Sequence, residues 1–195
     1  MGYYFKKAAI PWVYLVFMVV LTLSVHALEN AAFKYILMGA TLFLYLFIIG
    51  SLSYKDGERA LKVRIKNDIE RRNIIETGED RHLNLTEEYK FYKGFLTALV
   101  VSLPLFVLLG FHTLAIPSSN GLTTTFGTIT NVLYSMVFNF FRVSGKDLTV
   151  YTTYWTLLYV PAVMLTMGIP YILGARNVEK QQEEIKKIHG EIYGE

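Results

Sequence analysis

The sequence predicts an all-α membrane protein: four transmembrane helices, an outer re-entrant or interfacial helix, and cytoplasmic amphipathic helices. Three observations predict it. The chain has 195 residues, of which 53% are hydrophobic and 15% aromatic. Its apolar residues are clumped into blocks close to the ~20 residues that cross a ~30 Å hydrocarbon core. Its Lys and Arg residues divide very unequally between the segments joining those blocks. The sequence holds no cysteine. That removes thiol catalysis, zinc–thiolate sites, iron–sulfur clusters and CxxC redox chemistry.

The first block covers residues 8–28 and the second 33–53; the third covers 94–116 and the fourth 151–175. None contains Asp or Glu. Helices are required because lipid offers backbone N–H and C=O groups no partner. With the N-terminus placed in the cytoplasm, sixteen of the nineteen Lys and Arg residues fall on the inner side. Only Lys34, Arg142 and Lys146 fall outside. This positive-inside imbalance sets both termini in the cytoplasm of a multi-pass cell-membrane protein. Tyr3, Tyr4 and Trp12, then Phe91 and Tyr92, and finally Tyr151, Tyr154, Trp155 and Tyr171 lie near expected headgroup depths, where amphipathic rings are favoured. A signal peptide competes for the first block, with Lys6-Lys7 ahead and Val25-His26-Ala27 behind. The apolar run is longer than the ~7–15 residues of such peptides, so a retained span is expected.

The loop 54–93 is the largest polar unit. Leu61, Ile65 and Ile69 recur at helical spacing, with Glu58–Lys62, Lys66–Glu70 and Asp68–Arg72 as possible i, i+4 pairs. The spacing predicts an amphipathic helix ending near Glu76, before Gly78. The alternation of Leu61, Val63 and Ile65 makes a short strand its competitor. Asn84, with Glu87 three residues on, predicts a new helix running into the third span. Nine acids offset ten bases here, so the loop reads as a solvated, charge-paired unit. No nucleic-acid partner is expected from so balanced a surface.

Between the last two spans, residues 117–130 are rich in Ser, Thr, Asn and Gly. Residues 127–143 then form a short apolar segment. Its polar residues Thr128, Asn131, Ser135, Asn139 and Arg142 fall at intervals of three and four and make one stripe. A fifth crossing would weaken the charge asymmetry, so residues 117–150 are expected to form an exoplasmic loop with a re-entrant or interfacial helix. The stripe is a candidate contact for a ligand or partner. Sealing of the bundle and snorkelling of Arg142 are the plainer alternatives. In the tail, residues 176–195, Val178, Ile185, Ile188 and Ile192 lie on one helical face. That face is expected to dock on the chain's own loop or on another subunit.

No phosphate loop, HExxH, GxSxG or GxGxxG is present. The absence of carboxylates inside the spans weighs against a proton or cation relay built on them. His26 and His112 sit near the outer ends of the first and third spans. They form a candidate metal-ligand pair, set against two histidines bonded locally. Pro104, Pro161 and Pro170, with Gly39, Gly50, Gly110 and Gly168, serve either as transporter hinges or as sites of close helix packing. The expected function is a non-enzymatic scaffold or accessory subunit of a larger membrane complex. Its expected partners are the bilayer and other membrane or cytoplasmic subunits, with no cofactor. A small transporter or channel is the alternative, and a membrane enzyme comes third.

Overall fold

The computed structural model describes residues 2–26, 28, 30–78, 82–115 and 158–193. Four helices follow one another: α1 (Gly2–His26), α2 (Ala31–Thr77), α3 (Lys93–Ala115) and α4 (Tyr159–Tyr193). No strand occurs among the described residues. The expected outer loop and helix, 117–150, and the first residues of the fourth block lie outside them. Two helical segments, Gly2–Thr22 and Ala32–Thr77, are long and apolar enough to cross a membrane; Lys93–Pro104 is apolar but shorter.

The second apolar block and the charged loop are one helix. Asn30 caps α2, its side-chain oxygen accepting the Phe33 N–H at 3.1 Å. Gly78 ends it at φ 72°, its N–H bonding Ile74 O at 2.9 Å. Glycine adopts this left-handed cap without the Cβ penalty. Over those 47 residues nothing breaks the helix. No proline intervenes, and about half of the charged segment 55–77 is Ala, Leu, Lys, Arg or Glu, which favour helix. The strand competitor at Leu61–Val63–Ile65 is therefore lost. At 1.5 Å per residue, α2 is about 70 Å long.

The helix expected to start at Asn84 does not form. Its capping contacts do: Glu87 N–H donates to Asn84 Oδ1, and Asn84 Nδ2 donates to Glu87 Oε2, both at 3.3 Å. Residues 85–87 nonetheless make only a turn, and α3 begins at Lys93. Competing bonds to α2 explain this. Asn67 Nδ2 donates to Asn84 O at 3.1 Å, and Asn84 N–H donates to Asn67 Oδ1 at 3.2 Å. Tyr89 N–H donates to Ala60 O at 3.1 Å. A backbone donor committed to α2 cannot also serve an i−4 carbonyl of its own helix.

Packing runs through small residues. Gly50 abuts Thr166, Gly57 abuts Tyr171, and Gly174 abuts Tyr54. Ser53 faces Met167 and Glu58 faces Asn177, so the numbers rise together and α2 and α4 are parallel. Pro170 lacks an N–H and leaves Thr166 O without its helical donor. A Cβ on Gly50 would lie 3.2 Å from that oxygen. Ser53 Oγ donates to Met167 O at 2.6 Å across the same interface. Gly94 of α3 receives Tyr171, while Gly168 of α4 receives the Phe95 ring. Close approach of backbones at small residues is how helices pack without a hydrophobic driving force between them. Trp12 Nε1 donates to Val101 O at 3.1 Å, joining α1 to α3. The buried cluster draws on all four helices, including Met18, Tyr45, Ile49, Val101 and Val163. Tyr45 and Tyr159 stack within it, ring centroids 6.5 Å apart.

Candidate partner-binding surface

Beyond the main cluster, α2 and α4 continue side by side. Leu61, Ala175 and Val178 are buried together, with Ile65 and Tyr89 against them. Asn177 Nδ2 donates to Glu58 Oε1 at 3.1 Å, tying the two charged halves. Further along, a cleft of about 490 Å³ opens between Ile65, Asp68, Ile69 and Arg72 on one side and Gln182, Ile185 and Lys186 on the other. Ile69, Ile185 and Ile188 are 55%, 64% and 55% exposed. So Val178 of the tail stripe is buried against α2, whereas Ile185 and Ile188 stay open. Isoleucines flanked by charges of both signs form an amphipathic surface of the kind that receives another helix.

The segment between α2 and α3 braces this surface. Arg71 Nη1 donates to Asp68 Oδ1 at 2.7 Å, and Nη2 donates to Glu88 Oε2 at 3.0 Å. Asn67, buried, adds its own contact to Glu88 at 3.4 Å. Lys93, also buried, donates to the carbonyls of Thr86 and Glu88, both at 2.6 Å. Its ammonium lies 5.0 Å from the Tyr3 ring centroid, within cation–π range. Burial pulls Lys93 below the usual lysine range, with repulsion from Lys90 adding to it. Tyr89 stacks on Tyr171 at 5.5 Å. Burial raises the Tyr89 hydroxyl above its usual value, with Glu179 adding to the shift. Reading the sequence for helical charge pairs missed this hub. Asp68 takes Arg71 three residues on, and Glu58 takes Asn177 from another helix. Asn84-x-x-Glu87 was the one local signal that marked the hub.

The other candidate residues are placed as follows. Tyr3 beside Lys93 and Trp12 on Val101 set α1 and α3 parallel, which brings the backbone positions of His26 and His112 to the same end of the bundle. Their side chains, and that of Ile192, lie outside the description. So do Thr128, Asn131, Ser135, Asn139 and Arg142. Among the described residues no group of three or more His, Asp or Glu side chains is assembled as a metal site. The buried polar residues among them are Thr22, Ser53, Asn67, Lys93, Thr97 and Ser102, none a carboxylate. No protein-family model, curated protein or solved structure matches the chain.

Proposed function

We propose that this protein is a membrane-embedded scaffold or accessory subunit, offering the exposed α2–α4 surface to a helical partner in the cytoplasm. One observation carries the reading. The 47-residue α2 joins an apolar half to a charged half without a break, and α4 accompanies it, leaving Ile69, Ile185 and Ile188 uncovered. An apolar segment rigidly continued into a charge-paired arm suits anchoring and presentation.

The membrane half of the proposal is four spans with both termini cytoplasmic. The sidedness of Lys and Arg supports it. So does the outward apolar surface: only 28% of the apolar window in each of the two candidate spans is buried. Phe43 and Phe47 of α2 are 71% and 62% exposed. A core helix of a water-soluble protein buries such residues, whereas lipid accepts them.

The test is purification from native membranes in mild detergent, with mass spectrometry of whatever co-elutes. The expected result is a stoichiometric protein partner, lost on Ile185→Glu with Ile188→Glu while the melting temperature holds. A monodisperse protein without partners and with an activity of its own overturns the proposal.

A further inference from the structure

A second cleft, of about 330 Å³, lies at the opposite side of α2, between the start of α1, the middle of α2 and α4. Its floor is apolar, formed by Pro11, Leu52 and Met167, with the exposed Ile10 at its edge. Its rim is charged. Lys7 is paired with Asp56 across α1 and α2, so those two neutralise each other. Lys6, Lys55 and Arg59 also line it, and none of the three has a hydrogen-bond or ion-pair partner among the described residues. Glu87, held by Asn84, is the one further carboxylate on the rim. Three cations from two helices therefore face one remaining anion, above a floor that takes hydrocarbon.

This arrangement selects its ligand by chemistry. An anion between Lys6, Lys55 and Arg59 relieves their mutual repulsion, and a guanidinium with two ammoniums matches phosphate oxygens. The Glu87 carboxylate accepts hydroxyl donors and disfavours a second negative charge on the ligand. Apolar residues below the cations suit a glycerol ester and the start of an acyl chain. We propose that this cleft binds a singly charged phosphate ester bearing hydroxyls, with Lys6, Lys55 and Arg59 holding the phosphate. The site is independent of the partner surface on the far half of α2. Where the chain is oriented as the Lys and Arg count indicates, the cleft sits at the inner headgroup level, so the natural source is an anionic phospholipid.

The full chain in neutral detergent tests this, by native mass spectrometry and thermal unfolding with added phosphatidylglycerol, phosphatidylcholine or glycerophosphoglycerol, the soluble phosphodiester of the same headgroup. The cleft variant carries Lys6→Gln, Lys55→Gln and Arg59→Gln. A control carries Lys180→Gln, Lys186→Gln and Lys187→Gln, losing the same charge on the tail. The wild type and the control should retain phosphatidylglycerol, while the cleft variant loses about tenfold or more in affinity. Phosphatidylcholine should give no stabilisation. If glycerophosphoglycerol alone protects the wild type but not the cleft variant, the phosphate site stands and its source is a soluble ester. Protection by the lipid only, again lost in the variant, assigns the headgroup. Equal phosphatidylglycerol binding by the cleft variant and the control overturns the proposal. So does equal binding of the two lipids by the wild type. The three single substitutions, at exposed positions and checked for helical content, give a graded loss that general unfolding would not produce.

Discussion

Gly57 of α2 and Gly174 of α4 each lie directly against the other helix's backbone. A Cβ on Gly57 would overlap the Tyr171 carbonyl, and one on Gly174 would overlap the Tyr54 carbonyl. Both obstacles are main chain, so no side-chain rotation relieves the clash. Gly57→Ala and Gly174→Ala are each expected to cost about 1–3 kcal/mol by overpacking. Gly2→Ala, which meets nothing, should leave stability unchanged. Thermal unfolding of the three variants in one detergent checks the ranking. Equal melting temperatures would refute the tight crossing.

Arg71 and Glu88 bind the α2–α3 connection to the last turns of α2. The pair is half open on the arginine side, at 42% against 12% exposure. Its coupling should therefore be modest, about 1 kcal/mol in a double-mutant cycle of Arg71→Ala and Glu88→Ala. Either change should also speed proteolysis within residues 79–92. Additive effects of the two substitutions on unfolding would show that the Arg71–Glu88 pair adds nothing to the other contacts that hold the connection.

Alkaline pH should loosen the same region through Tyr89. Its folded-state pKa is raised above the ordinary 10.0, chiefly by burial. The stability it contributes is present below pH 10 and is lost as pH rises through the folded value, because the unfolded chain releases the proton first. Melting temperature measured from pH 8 to 11 should fall above pH 10, and Tyr89→Phe should lessen that fall. A Tyr89→Phe curve parallel to the wild type would remove Tyr89 as a contributor.

A chain without cysteine permits a direct test of sidedness. Lys34→Cys and Arg72→Cys place single thiols near the start and the far end of α2. An impermeant maleimide added to intact cells should label the first and spare the second until the cells are opened. The reverse pattern would invert the topology derived from Lys and Arg.

Much of the helical content was legible because it rests on local signals. Gly78 marks the end of α2, and the Leu61–Ile65–Ile69 spacing its amphipathic half; the Asn30 cap at its start went unread. The continuity of α2 was harder to read. A change from apolar to charged residues near Tyr54 looks like an element boundary, yet no backbone signal there ends a helix. Tertiary competition kept the Asn84 cap from starting a helix: Ala60 and Asn67, more than fifteen residues away, take bonds a helix would need. The candidate surface was half legible. The Ile185 and Ile188 spacing announced an apolar stripe, but only the parallel register of α2 and α4 shows which part of it α2 covers. Lys6, Lys55 and Arg59 entered the sequence reading as topological charges. Their meeting at one cleft depends on helices α1 and α2 folding back on each other.

The unbroken α2 also has a mechanical consequence. From Gly57 to Thr77 it extends about 30 Å past its tightest crossing. Its closest contact, at Gly57, is the natural pivot of a lever, and α4 and the α2–α3 connection, bonded to α2 beyond that point, move with it. A tilt of about 10° at that pivot sweeps its tip through about 5 Å, given the rise per residue. Changes in bilayer thickness at the apolar end would thus arrive as displacement at Ile69 and its neighbours, with no loop in between to absorb the motion.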